Sequence, residues 1–188
     1  VCDQMYLFEP GDDTTVCVLK AVKPKKVKLF TGPPTHKEDD AKVVHELMNN
    51  ADIRIVSGGT TSQIVARELG VEVKSSTEIY DKEVPPIAYI QGVDLVTEGV
   101  LTLSKTIDRL KSLSKSLDSD IFKAKDGASQ MAKLLYSASH IKLLVGRSLN
   151  IANAESSFQR DLELRLHVIG ELEKILVKLG KIVTVEYY

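Results

Sequence analysis

The sequence predicts an α/β protein of three layers, in which a mainly parallel sheet has helices on both faces and is preceded by a remnant strand. Two observations favour this class. From residue 27 onward, short aliphatic runs alternate with longer segments whose apolar residues recur at helical spacing, which is typical of parallel strands joined by helices. In addition, the run Ile141 to Val145 is almost wholly apolar, as expected of a central strand with both faces buried.

Two strand–helix pairs open this alternating part of the chain. Residues 27–30 and 53–56 are the aliphatic strands. A capping-box pattern begins at Thr35 and another begins at Thr60, so each threonine hydroxyl is expected to cap the helix that follows. Gly70 stands where a glycine would end the second helix.

The next predicted elements are an irregular segment and a third strand. Residues 71 to 92 are expected to form a loop with a short edge strand at Val71 to Val73, because Pro85-Pro86 excludes a regular helix. Residues 93–96 form the third strand.

Helices dominate the rest of the chain. One runs from Val100 towards Leu117, and Asp126 caps another. The strand at residues 141–145 leads to the longest amphipathic helix, which Gly180 closes, and a last strand ends the sequence.

The first 25 residues have a different character. A turn at Pro10-Gly11 leads into a predicted strand, Thr14 to Val22, that is rich in valine and threonine. No earlier strand could pair with it, so residues 1–25 are interpreted as the remnant of another domain with a linker, and residues 26–188 as the α/β domain. The basic cluster Lys23 to Lys26 is either a solvated linker or a contact to phosphate.

Composition limits the function classes. Of the 188 residues, 43% are hydrophobic and 27% are charged, and the net charge of -1 gives no general attraction to nucleic acid or anionic membranes. No apolar run approaches the roughly 18 residues of a membrane span. The two cysteines, Cys2 and Cys17, are too few for a disulfide framework and are expected to be reduced. We therefore expect a cytoplasmic protein with neither nucleic acid nor membrane as a partner.

Small, hydroxyl-bearing or charged residues follow four of the predicted strands. In open α/β sheets, ligands bind outside the carboxyl ends of the strands. Glycines there let backbone approach a ligand, and an arginine can bind an oxyanion in a forked geometry. The predicted ligand-binding residues at these ends are Thr31, Gly32, Gly58, Gly59, Thr60, Thr61 and Arg147.

The turn from Gly58 to Thr61 has two interpretations. A turn that opens a helix presents unpaired N–H groups, which suit phosphate or carboxylate. The same residues could instead form a simple glycine turn followed by a threonine cap. The motif contains neither the Gly-Lys-Ser/Thr of a phosphate loop nor the Gly-x-Gly-x-x-Gly of a dinucleotide site.

Two carboxylates are the candidate catalytic residues. Asp94 and Glu98 are four residues apart, across the end of the third strand, and could act as a general acid–base pair, which requires opposed placement and a raised pKa in one of them. Alternatively, Glu98 orients a loop or Arg147. None of the four histidines has a cysteine or aspartate at nucleophile spacing, so no catalytic triad is predicted.

Residues 10–19, with the sequence PGDDTTVCVL, resemble the last conserved strand of the metal-dependent, type 2C protein serine/threonine phosphatases, and most closely their bacterial SpoIIE-type branch. The resemblance implies that Asp12 matches the family's terminal metal-ligand aspartate. It also implies that the complete phosphatase uses Mn²⁺ or Mg²⁺ to activate water. Because one carboxylate cannot hold two metal ions, this chain alone is expected to be inactive as a phosphatase.

Most of residues 27–188 resembles a domain on the C-terminal side of some SpoIIE-family phosphatases. The stretches that carry this resemblance are LFTGPPTHKEDDAKVV, SGGTTSQIVARELG, GVDLVTEGVLTLSK, DGAS and LLVGRSLN. No biochemical activity is implied for this domain.

Three functions are open on the sequence alone. The first is a regulatory domain that binds a small anionic or phosphorylated ligand and acts with the phosphatase domain of its parent chain. The second is an independent small-molecule enzyme that uses Asp94, Glu98 and Arg147. The third is a protein-docking domain that binds no ligand. No cofactor is expected for residues 26–188.

Overall fold

The computed structural model describes residues 15–19, 21, 23–113, 120–148 and 155–188, with residues 155–160 and Phe122 described by their backbone alone. These residues form one mixed α/β unit built on a seven-stranded sheet, which confirms the predicted fold class. The strands are β1 Lys26–Thr31, β2 Ile53–Ser57, β3 Lys74–Ser75, β4 Ala88–Tyr89, β5 Leu95–Thr97, β6 His140–Val145 and β7 Ile182–Tyr187.

Five α-helices connect the strands in the described part of the chain. They are α1 Asp40–Met48, α2 Gly59–Leu69, α3 Val100–Leu113, α4 Gly127–Ser137 and α5 Glu155–Lys178. Short 3-10 turns at Lys37–Asp39 and Asp120–Phe122 precede α1 and α4.

The sheet is parallel except at one edge. Its strand order is β3-β4-β5-β2-β1-β6-β7, with β1 pairing in parallel with both β2 and β6. The two-residue strands β3 and β4 run antiparallel beyond β5. From β1 the chain first adds β2 and β5 on one side of this strand and later adds β6 and β7 on its other side. Because β1, β2, β5 and β6 are parallel, their carboxyl ends meet at the same edge of the sheet. This is the edge where ligands bind in doubly wound folds.

Both faces of the sheet are buried under helices. Alternate residues of β1 point to opposite faces, and neighbouring Leu29 and Phe30 are both fully buried. Leu29 belongs to the core under α3, α4 and α5, while Phe30 belongs to the smaller core under α1 and α2. This double burial explains why the central strands carry consecutive apolar residues, such as Leu29-Phe30 and Ile55-Val56.

The predicted helix starts are confirmed at α4 and wrong at α1 and α2. The Asp126 carboxylate caps α4 by accepting the Ser129 N–H at 2.9 Å. No side chain caps the turn that precedes α1, and the Thr35 hydroxyl instead donates to the carbonyl of Tyr188 at 3.2 Å. The predicted helix-ending role of Gly70 is confirmed, since it adopts a left-handed φ of 67° beyond α2.

The strand predicted at Thr14 to Val22 is not formed in its described residues, which are 15–19 and 21. Val16, Val18 and Leu19 have exposed fractions of 74%, 83% and 92%, and no described strand lies beside them. A strand needs such a neighbour to satisfy its backbone hydrogen bonds. Asp12 and the turn at Pro10-Gly11 lie outside the described residues.

The ordered α/β unit begins at the end of the predicted linker. The backbone N–H of Lys25 donates to the Ser139 hydroxyl at 2.8 Å, and its carbonyl accepts the Ser139 N–H at 3.0 Å. The domain boundary at residue 26 remains a prediction, and these bonds indicate that Lys25 belongs with the domain. Within the described ranges, no helix has the length and apolarity that crossing a membrane requires.

Candidate ligand-binding site

A cavity of about 230 Å³ opens at the carboxyl edge of the sheet. The strand ends are level there, because Ser57 is in register with Thr31 on one side and Thr97 on the other. The loops after β1, β2 and β5 form its walls, and α5 contributes the remaining side. Six of the seven predicted ligand-binding residues line this cavity: Thr31, Gly32, Gly58, Gly59, Thr60 and Thr61.

The glycine turn after β2 leaves the start of α2 without a side-chain cap. The helix begins at Gly59, and the residue before it, Gly58, has a φ of 117° that favours glycine. The threonine cap predicted at Thr60 is therefore wrong. The first backbone N–H groups of a helix have no partner within the helix. Here the capping position is held by Gly58, which has no side chain that could accept a hydrogen bond from them. The first turn of α2, which is the positive end of the helix dipole, lines the cavity and suits an anion.

Thr61 joins the first wall of the cavity to the second. Its buried hydroxyl accepts the backbone N–H of Gly32 at 2.9 Å, which fixes the β1 loop against the first turn of α2. Gly32 has a φ of 79°, so a side chain at this position would be strained. Thr61 is therefore a structural bridge of the site, whereas Thr60 is exposed at its mouth.

Ser57 and Glu98 join the ends of β2 and β5. The buried Ser57 hydroxyl donates to the backbone carbonyl of Glu98 at 2.8 Å, and the Gly58 N–H donates to the Thr97 carbonyl at 2.9 Å. The Glu98 side chain is exposed, and its Oε2 accepts the Gly99 N–H at 3.2 Å. These bonds hold the Glu98 carboxylate at the rim of the cavity.

The cationic residue of the cavity is Arg165, which the sequence analysis missed. It lies on α5, and its Nη1 donates to the carbonyl of Gly146 at 3.3 Å. Burial lowers the pKa of its guanidinium, opposed by the nearby charge of Asp161. Among the described residues, no carboxylate forms an ion pair with it. Arg165 is thus a partly desolvated cation at the cavity wall that has no paired carboxylate among the described residues.

Arg147 does not occupy the place that was predicted for it. It leaves the same edge of the sheet as the glycine turn, but its guanidinium stacks over the ring of Tyr187, 5.5 Å from the ring centroid. Its backbone N–H donates to the carbonyl of Tyr188 at 2.9 Å. The side chain is exposed and does not line the cavity. Arg165 supplies the positive charge there instead.

Asp94 and Glu98 are not brought together. They lie at opposite ends of β5, so only Glu98 reaches the cavity. Asp94 is at the amino end, where its Oδ2 accepts the backbone N–H of Arg54 at 2.7 Å. Four residues of a strand span about 13 Å, which is too far for an acid–base pair to share a reacting atom. This placement does not support the predicted catalytic pairing.

Comparison of this chain with known protein families, curated proteins and solved structures gives no match. The likeness to SpoIIE-type phosphatases therefore rests on the sequence stretches quoted above. The metal ligand that it implies, Asp12, lies outside the described residues. Within the described ranges, no group of three or more His, Cys, Asp or Glu residues could hold a metal ion, so no step through Mn²⁺ or Mg²⁺ is derived.

The two glycines of the turn are expected to differ in their tolerance of a side chain. A Cβ added to Gly59 would meet only the Glu98 Oε1, at 3.7 Å, and its φ is not positive. Gly59→Ala should therefore leave the free energy of unfolding within about 0.5 kcal/mol of the parent or raise it. Gly58→Ala should lower it by about 1–3 kcal/mol, because φ is 117° there. Urea unfolding measures both, and equal values would contradict this geometry.

Proposed function

We propose that residues 26–188 form a regulatory domain of a SpoIIE-type protein serine/threonine phosphatase and bind a small anionic or phosphorylated ligand at the carboxyl ends of the strands. The observation that carries the ligand part of this proposal is Arg165, a partly buried guanidinium at the cavity wall for which the described part of the chain offers no paired carboxylate. The phosphatase part rests on the sequence resemblance. By that resemblance the domain acts in the cytoplasm beside a phosphatase domain that uses Mn²⁺ or Mg²⁺.

An anion would compensate the charge of Arg165 and accept hydrogen bonds from the first turn of α2 at the same time. Removing a cation from water is unfavourable unless an opposite charge compensates it. The uncapped first turn of α2 likewise lacks an acceptor for its N–H groups. The two features are close together, because the Arg165 Nη1 would lie 2.6 Å from a Cβ at Gly32, and the Gly32 N–H is bonded to Thr61 in that first turn. A phosphate or carboxylate between them would accept bonds from both.

The carboxylates of the cavity limit which chemical groups the ligand can carry beside its anionic group. Glu98 and Asp161 also line the cavity, so a ligand that is anionic over its whole surface would be repelled by them. Hydroxyl or ammonium groups beside the anionic group would instead donate to these carboxylates. The geometry therefore favours a phosphorylated or carboxylated metabolite over a bare polyanion.

A ligand screen on the whole 188-residue chain tests the proposal. Phosphorylated metabolites, carboxylic acids and inorganic phosphate would each be added, and the unfolding temperature measured. A ligand at 100 times its Kd should stabilise the fold by about 2.7 kcal/mol. If no anionic compound raises the unfolding temperature or shows saturable binding, the proposed function is wrong and a docking domain without a ligand takes its place.

A further inference from the structure

A second cavity, of about 350 Å³, adjoins the candidate site. It lies between the first turn of α2, the end of β5 and the segments that form β3 and β4. Gly59 and Glu98 line both cavities, so the two spaces meet at these residues. Gly59 adds no side chain at this junction, and a Cβ there would meet only the Glu98 Oε1, at 3.7 Å.

The two cavities differ in their chemistry. Of the thirteen residues that line the second cavity, five carry a hydroxyl or amide side chain and six are aliphatic or proline: Val73, Pro85, Pro86, Ile87, Ala88 and Val96. Glu98 is its charged residue, and no lysine or arginine lines it. The first cavity, in contrast, contains the Arg165 guanidinium and the start of α2. An anionic group is therefore favoured in the first cavity, and an uncharged group with apolar faces and polar edges is favoured in the second.

We infer that one ligand spans both cavities, and that it consists of an anionic head, a hydroxyl-bearing middle and a flat, uncharged body, which is the chemical class of the nucleoside monophosphates. This inference rests on the proposed function, because it assigns the head group to the anion site described above. It adds the rest of the ligand and the residues that select it.

Each part of such a ligand meets a suitable group. The phosphate lies between Arg165 and the start of α2. The Glu98 carboxylate, at the junction of the cavities, can accept hydrogen bonds from two neighbouring sugar hydroxyls. The base lies against the apolar wall of the second cavity, where the exposed side chains of Gln63 and Ser75 offer polar groups to its edge.

The charge of the second cavity also limits the ligand. A second phosphate group there would meet Glu98 and no cation, so it would be left without a counter-charge. Dinucleotides that place a phosphate in each cavity are therefore disfavoured, and a single phosphate with a neutral base is favoured.

Three probes of increasing size test the inference by calorimetric titration of the full chain: inorganic phosphate, ribose 5-phosphate and AMP. AMP should bind about tenfold or more tightly than ribose 5-phosphate, because its base is buried against the aliphatic side chains and prolines of the second cavity. Ser75→Trp, which fills the second cavity from an exposed strand position, should remove this tenfold gain and leave ribose 5-phosphate binding within about twofold. Thr77→Trp is the matched control, since Thr77 is exposed nearby and does not line the cavity.

The outcomes separate this inference from the proposed function. If ribose 5-phosphate binds and AMP binds no more tightly, the inference is overturned while the anion site stands. The same holds if Ser75→Trp and Thr77→Trp have equal effects on the affinity for AMP. If none of the three probes binds, the proposed function fails, and the inference fails with it.

Glu98→Gln should weaken the binding of ribose 5-phosphate and leave the binding of inorganic phosphate unchanged or tighter.

Discussion

Replacing Gly146 with alanine is expected to lower the free energy of unfolding by at least about 3 kcal/mol, at the upper end of overpacking effects. A Cβ at this position would lie 2.1 Å from the Pro33 carbonyl oxygen and 2.2 Å from that of Gly32. Both are backbone atoms, so no side-chain rotation relieves the contact. The Gly146 N–H also donates to the Thr31 carbonyl at 2.9 Å, which holds the two strand ends together. Chemical denaturation measures the loss.

Gly170→Ala is the matched control for this prediction. Gly170 lies inside α5, and a Cβ there would meet nothing within 4 Å. Its replacement should leave the stability unchanged or raise it by up to about 1 kcal/mol, as expected for alanine in a helix. If Gly146→Ala unfolds at the same urea concentration as Gly170→Ala, the close approach of the β1 and β6 loops is wrong.

Arg165→Met is expected to weaken anion binding by roughly 10–100-fold, the usual contribution of a hydrogen bond to a charged group. Methionine keeps an unbranched apolar side chain and removes a partly desolvated charge, so the stability of the free protein should stay the same or increase. A titration with ribose 5-phosphate measures the binding, and thermal unfolding measures the stability.

Arg147→Met provides the matched control. Arg147 leaves the same edge of the sheet but stacks on Tyr187 outside the cavity, so its loss should change anion affinity by less than about twofold. A larger effect from Arg147 than from Arg165 would show that the strand-end arginine predicted from the sequence is the ligand-binding one after all.

The sequence was sufficient for the parts of the fold that depend on local patterns. The four central strands contain short apolar runs between helical patterns, and the Asp126 cap satisfies a neighbouring N–H, so both could be predicted. The edge strand predicted at Val71 to Val73 is found at Lys74–Ser75 instead, because β3 and β4 have two residues each and show no periodicity. The Thr35 cap failed for a different reason, because its hydroxyl bonds to Tyr188, which is 153 residues away in the chain.

The candidate site could also be predicted only in part. Glycines and hydroxyls that directly follow strands were found because strand ends converge in a parallel sheet. Arg165 could not be found in this way, since it lies inside α5 and reaches the site through the packing of that helix. Arg147 was placed wrongly because the sequence does not show that β7 pairs with β6 and brings Tyr187 beside it.

An NMR titration with inorganic phosphate tests the central claim most directly, because it follows the backbone N–H groups of the isotope-labelled chain one by one. We predict saturable shifts at Thr60 and Thr61 in the first turn of α2, which disappear in Arg165→Met. Ala128, in the first turn of α4, is the internal control, because the Asp126 carboxylate already caps that helix. If phosphate leaves Thr60 and Thr61 unchanged, or shifts Ala128 equally, the account of this cavity as an anion site is contradicted.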